Sequence, residues 1–155
     1  MRYWLMKTEP DEFSIDDLAK KKVEAWTGVR NYQARNFMRD GMQVGDGVLF
    51  YHSSCAEPGV AGIAEIASEA HPDPSQFDKK SDYYDPKSKK DKPRWVNVDV
   101  RAVRKTRLIS LNEMRNHKAL AKMVTLRPGN RLSITPVTAD EWEFITRAML
   151  KDRPQ

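Results

Sequence analysis

Trp95-Val96-Asn97-Val98-Asp99-Val100-Arg101-Ala102-Val103 alternates apolar and polar residues with a period of two. Successive side chains of a strand point to opposite faces, so Val96, Val98, Val100 and Ala102 share one face and mainly polar residues occupy the other. The segment predicts a β-strand with one face turned to a core. Its neighbours along the chain must supply the rest of that core.

Before it, Val60 to Glu69 reads as another strand, in which Ala61, Gly62, Ala64 and Ala67 leave room for a close backbone or a curved path. Val44-Gly45-Asp46-Gly47 is a turn signal ahead of the β-rich run Val48-Leu49-Phe50-Tyr51-His52. Asn31 to Asp40 predicts a helix stopped by Gly41, with Phe37 and Met38 buried and Arg35 and Arg39 exposed. Nearer the N-terminus, Tyr3 to Lys7 predicts a short buried strand closed by Thr8-Glu9-Pro10, and Ser14 caps a helix running to about Lys21.

After the alternating segment, Leu111 to Met123 predicts one or two helical turns and Asn130 to Ile134 a short strand. Thr138-Ala139-Asp140-Glu141 forms a capping box that opens a last helix to about Leu150, with Trp142, Ile145 and Met149 on its core stripe. Strands interleaved with short helices, without a βαβ repeat, predict an α+β fold. The expectation is a single domain over residues 1–155, built on a curved or partly closed sheet.

A chain of 155 residues, 39% of them hydrophobic, can bury its own core without metals or disulfides. Twenty-seven Lys and Arg against 22 Asp and Glu leave a net charge of +5, which permits polyanionic partners. Cys55 is the one cysteine, which excludes an intrachain disulfide, a redox pair and cysteine-based zinc spacing. No stretch approaches the ~20 apolar residues of a membrane span, and the N-terminus lacks the apolar run of a signal peptide. A soluble, cytoplasmic protein is expected, without cofactor or metal and with the monomer favoured.

The most polar segment is Trp26-Thr27-Gly28-Val29-Arg30-Asn31-Tyr32-Gln33-Ala34-Arg35-Asn36. Side-chain amides match the edge of a nucleobase, Trp and Tyr offer stacking faces, and Arg pairs with phosphate or base acceptors. Two readings fit equally: a nucleic-acid pocket, or a polar helix start with Gly28 in the turn and Asn31 as N-cap. A second unusual region runs from His71 to Arg94. Between Lys79 and Arg94 seven basic residues, Lys79, Lys80, Lys87, Lys89, Lys90, Lys92 and Arg94, outnumber Asp82, Asp85 and Asp91, and Phe77, Tyr83 and Tyr84 are interspersed in the region. A loop of this length reads as a phosphate-contacting flap or, equally, as a solvated charged loop pinned by its tyrosines.

Recognisable catalytic spacings are lacking. His52, His71 and His117 fit no metal-binding pattern, Gly45-Asp46-Gly47 lacks the lysine and spacing of a phosphate-binding loop, and no Gly-x-Ser-x-Gly turn occurs. His52 and Cys55 would meet only across a sharp turn, so Cys55 reads as a strand-end thiol, and Ser53 and Ser54 read as rim hydroxyls. Lys7 and Glu9, at the end of the first strand, stand where side chains commonly reach a site, although a surface salt bridge fits them as well. Trp26 and Trp95 serve equally as core residues or as stacking walls.

Met6-Lys7-Thr8-Glu9-Pro10, the Trp26–Asn36 segment, Val44-Gly45-Asp46, Phe50-Tyr51-His52-Ser53, Gly62-Ile63-Ala64, Tyr83-Tyr84-Asp85-Pro86-Lys87 and Arg94-Trp95-Val96-Asn97-Val98-Asp99-Val100 follow one another in the order seen in EVE domains, so the chain resembles that family over nearly its whole length. The resemblance implies a PUA-like pseudo-barrel of mixed strands with short peripheral helices, related to PUA, YTH and ASCH domains. It implies a non-enzymatic nucleic-acid-binding module that reads a modified base, with modified cytosine in DNA suggested and RNA the other candidate. The implied base-binding residues are Lys7, Thr8, Glu9, Trp26, Val29, Arg30, Asn31, Tyr51, Ser53 and Trp95, with phosphates held by Arg35, Lys87, Lys89 and Arg94. Thr8 and Thr27 stand where relatives often carry Ser and Asp, so a base contact through a carboxylate at position 27 is lost here. The competing expectations are a nucleotide-processing enzyme in the same cleft and a peptide or small-anion interaction module.

Overall fold

The computed structural model describes residues 1–150. In chain order the main elements are β1 (Tyr3–Thr8), α1 (Ile15–Lys21), β2 (Val23–Ala25), α2 (Tyr32–Asn36), β3 (Gly47–His52), β4 (Gly59–Ile66), β5 (His71–Pro72), β6 (Val96–Asn97), β7 (Asp99–Ser110), α3 (Leu111–Arg115), β8 (Ile134–Val137) and α4 (Ala139–Glu143). Six strands form one mixed sheet in the order β2-β7-β4-β3-β1-β8, and β5 pairs separately with β6. The architecture is α+β, and the sheet is open at β2 and β8 rather than closed into a barrel.

β1 and β3 run parallel in the middle of the sheet, with Tyr3 opposite Gly47 and Thr8 opposite His52. Both faces of these strands are buried, which explains why they read as continuous apolar runs. Trp4, Met6, Val48 and Phe50 pack with Leu18 of α1 and Ala34 of α2 on one face. Leu5, Leu49 and Tyr51 pack with Met114, Ile145 and Met149 on the other. Register shifts at Phe50/Tyr51, Val60/Gly62 and Ile63/Ala64 bend the sheet. The small side of β4 has a use: a Cβ on Gly62 would lie 2.5 Å from Ile15 Cδ1, so its absence lets α1 settle onto the sheet.

The caps follow their residues. Ser14 and Thr138 both make reciprocal capping boxes, and the Asn31 side chain accepts the Ala34 N–H at 3.0 Å. α2 and α4 each continue as a wider π turn, over Phe37–Gly41 and Phe144–Met149.

Several boundaries differ from expectation. The Trp95–Val103 run is divided between β6 and β7, and β7 continues to Ser110, because pairing with β4 carries the strand past the end of the alternation. Val98 and Val100 are buried as their period predicts, whereas Val103 is 54% exposed. β4 ends at Ile66 rather than Glu69. The strand expected at Asn130–Ile134 forms instead at Ile134–Val137, antiparallel to β1, where an edge position tolerates Pro136.

Candidate nucleic-acid interface

The C-terminal ends of β1 and β3 lie side by side, since the Ser53 N–H donates to the Thr8 carbonyl at 2.9 Å. The Lys7 N–H donates to the Ser133 carbonyl at 2.8 Å, drawing in the segment ahead of β8. Together with the turn from Trp26 to Arg30 they wall a recess of about 460 Å³, within the usual range of small-molecule sites. Lys7, Thr8, Glu9, Trp26, Val29, Arg30 and Ser53, scattered along the sequence, all reach it.

Three residues expected with them do not line it. Tyr51 is 3% exposed because strand alternation turns it with Leu49 into the second core, while Phe50 faces Trp26 edge-on at 5.7 Å. The Asn31 side-chain oxygen is committed to capping α2. Trp95 is buried against Tyr32, ring centroids 4.9 Å apart, and its indole N–H donates to Asp85 at 2.8 Å.

Arg30 borders the recess but its donors point elsewhere. Its N–H groups reach the Tyr83 carbonyl (Nε 3.1 Å, Nη2 2.8 Å), the Val29 carbonyl (2.9 Å), Asp73 Oδ2 (3.2 Å) and Ser75 Oγ (2.9 Å). A guanidinium has five N–H donors, so none is left for a phosphate. Arg35, expected to be exposed, is half-buried: it donates to the Arg94 carbonyl at 2.9 Å and stacks on the Tyr32 ring at 4.7 Å. Arg94 lies 3.9 Å from the Asp85 carboxylate. Lys87 and Lys89 are exposed.

Four residues that order this region were not among the expected site residues. Asp73, fully buried, accepts from the Gly28 N–H at 2.8 Å, from Arg30, and from the Ser75 backbone and hydroxyl. Gln76, also fully buried, donates to the Asp73 and Trp95 carbonyls and accepts from the Trp95 N–H and the Ser88 hydroxyl. The Trp95 indole, then the Lys87 backbone N–H, hold the Asp85 carboxyl below its ordinary range. Tyr83 forms a further wall: Gly28 has φ +83°, and a Cβ there would come within 2.8 Å of the tyrosine ring. One local signal existed, a Pro-Ser pair after an Asp that caps the 3-10 turn Pro74–Phe77.

Charge in the recess is mixed. Among the described residues Lys7, Glu9, Glu12 and Arg131 all line it without an ion-pair partner, and burial holds the Lys7 ammonium below its ordinary value. Its Nζ sits 5.6 Å from the Tyr51 ring centroid. Such a lining can donate to and accept from one polar, flat ligand at once.

The EVE domain family matches residues 2–148 of this chain. The chain belongs to the EVE domain family. Human thymocyte nuclear protein 1 is 46% identical to it over 162 aligned residues, taking in 92% of this chain and 72% of that protein. A crystal structure of human THYN1 protein in complex with 5-methylcytosine-containing DNA superposes with a TM-score of 0.92 at 43% identity, covering 99% of this chain and 100% of that one. A Pseudomonas syringae protein gives 0.91 at 46% identity, over 96% and 99% of the two chains. An ASCH protein from Zymomonas mobilis, 11% identical with a TM-score of 0.57 over 94% and 97% of the two chains, shares the fold. In this EVE domain Thr27, on the rim between Trp26 and Gly28, presents a hydroxyl and no carboxylate.

Proposed function

We propose that this EVE domain is a non-enzymatic reader of modified cytosine in DNA. One base leaves its stack and enters the recess between Trp26, Tyr83 and the ends of β1 and β3. The observation that carries this reading is likeness along the entire fold to a human protein described in complex with 5-methylcytosine-containing DNA. The residues lining the recess suit the task. Thr8 and Ser53 hydroxyls, the Lys7 ammonium and the Glu9 carboxylate supply donors and acceptors for a base edge.

Unstacking a base costs a few kcal/mol. Stacking on an aromatic side chain offsets about 1–3 kcal/mol of that, and a methyl group in an apolar niche adds up to ~0.8 kcal/mol. The methyl alone therefore discriminates by no more than about fourfold, and most of the affinity belongs to the edge and the phosphates.

The test is fluorescence anisotropy with matched duplexes carrying one cytosine or one 5-methylcytosine. Tighter binding of the methylated duplex is expected, weakening as salt rises. Equal affinity for both duplexes removes the modified-base reading, tighter binding of an RNA counterpart redirects it, and release of an altered base or nucleotide makes the protein an enzyme.

A further inference from the structure

A second recess of about 350 Å³ adjoins the first. The two share Thr8, Glu12, Trp26, Thr27 and Tyr83, so those residues form the partition between them. Trp26 is 8% exposed and belongs mostly to the core, whereas Tyr83 is 43% exposed and presents its ring at the boundary. We infer that the site takes a two-nucleotide step, with the modified base in the first recess, its neighbour in the second, and the Tyr83 ring between them. This rests on the DNA-reading function proposed above and extends it from a base to a dinucleotide.

Tyr83 is built to stay in place. Its carbonyl accepts two hydrogen bonds from Arg30, its ring lies 5.5 Å from that guanidinium, and Gly28 leaves the space the ring occupies. Arg30 is fixed in turn by buried Asp73. An exposed aromatic ring whose backbone is clamped loses little freedom on binding, which favours a stacking role over a solvent-facing one. The second recess also has the lining a base requires: the Phe13 ring, Thr8 and Thr27 hydroxyls, and the carboxylates of Glu12 and of Glu24, the latter paired with Lys21 at 3.1 Å, with no lysine or arginine lining it for a phosphate. Arg30 is accordingly a positioning residue that acts through Tyr83.

The experiment uses single-stranded 9-mers with a central 5-methylcytosine, intact or with an abasic site immediately 5′ or 3′ of it. Removing a stacked base costs about five- to 150-fold in affinity. One of the two abasic strands is expected to bind at least about fivefold more weakly than the intact strand. Tyr83→Ala weakens the intact strand by a similar factor and makes intact and abasic strands bind alike, Tyr83→Phe retains the difference, and Arg30→Lys behaves as Tyr83→Ala. Equal binding of all three strands to the unaltered protein, or an unchanged preference in Tyr83→Ala, overturns the dinucleotide step and leaves base reading standing. Failure of the intact strand to bind while the methylated duplex binds overturns the dinucleotide step alone, and failure of strand and duplex together overturns both.

Discussion

The Lys7 ammonium ends β1 half-buried, 5.6 Å from the Tyr51 ring centroid, and among the described residues no carboxylate pairs with it. Burial without a partner penalises the charged form, which is the cause of its lowered proton affinity. A charge kept at a cost to the fold suits a group that meets its partner on binding. Lys7→Met keeps the length of the side chain and removes the charge. It is expected to raise unfolding stability by about 0.5–2 kcal/mol and to weaken methylated DNA by roughly ten- to 100-fold, the scale of one hydrogen bond to a charged group. Urea denaturation and anisotropy on the same preparation measure both. A less stable Lys7→Met protein would assign the ammonium to the fold. Arg30 shows the opposite arrangement: its donors are spent inside the protein, so residue type in a sequence could not distinguish it from a phosphate ligand.

The segment from β5 to β6 is where sequence and structure diverge most. Its composition marked a long polar loop, but its order depends on Asp73 and Gln76, two polar residues with 0% exposure whose partners lie up to 45 positions away. Long-range polar contacts leave no periodic trace, whereas β1, β3, α1, the Ser14 cap and the Thr138 capping box were legible because apolar periodicity and caps are local. Lys7, Thr8, Glu9, Trp26, Val29, Arg30 and Ser53 line one recess. Tyr51 was misplaced by one step of strand alternation, Asn31 by its cap, and Trp95 by the carboxylate of Asp85. Asp73→Asn tests the clamp. An amide cannot accept at both positions where the carboxylate now does, so a loss of about 1–3 kcal/mol is expected, with faster trypsin cleavage after the exposed lysines of residues 79–92. Hydrogen exchange in β3 should rise only by the global loss, and unchanged trypsin sensitivity would show that the loop is held without Asp73.

Across the molecule the charges are sorted. Lys79, Lys80, Lys87, Lys89, Lys90 and Lys92 are exposed on the loop without ion pairs among the described residues, while Glu9 and Glu12 stand at the recess. In the recess these carboxylates are balanced by Lys7 and Arg131, so phosphates are drawn to the loop rather than to the recess, and the arrangement separates grip from reading. Arg35 and Arg94 are tied into internal contacts, which leaves the lysines to carry the electrostatic part of binding. Each phosphate contact with duplex DNA contributes about 0.9 to the slope of log affinity against log salt. A K87A/K89A/K92A protein should therefore lose up to roughly 2.7 from that slope, which between 50 and 200 mM salt amounts to about 40-fold in how strongly salt weakens binding. Its preference for methylated over unmethylated duplex should stay as it was, because these lysines lie outside the lining of the recess. Anisotropy titrations at several salt concentrations with both duplexes measure slope and preference together. A preference that falls along with the slope would place the lysines at the base itself and merge the two functions that the charge pattern keeps apart.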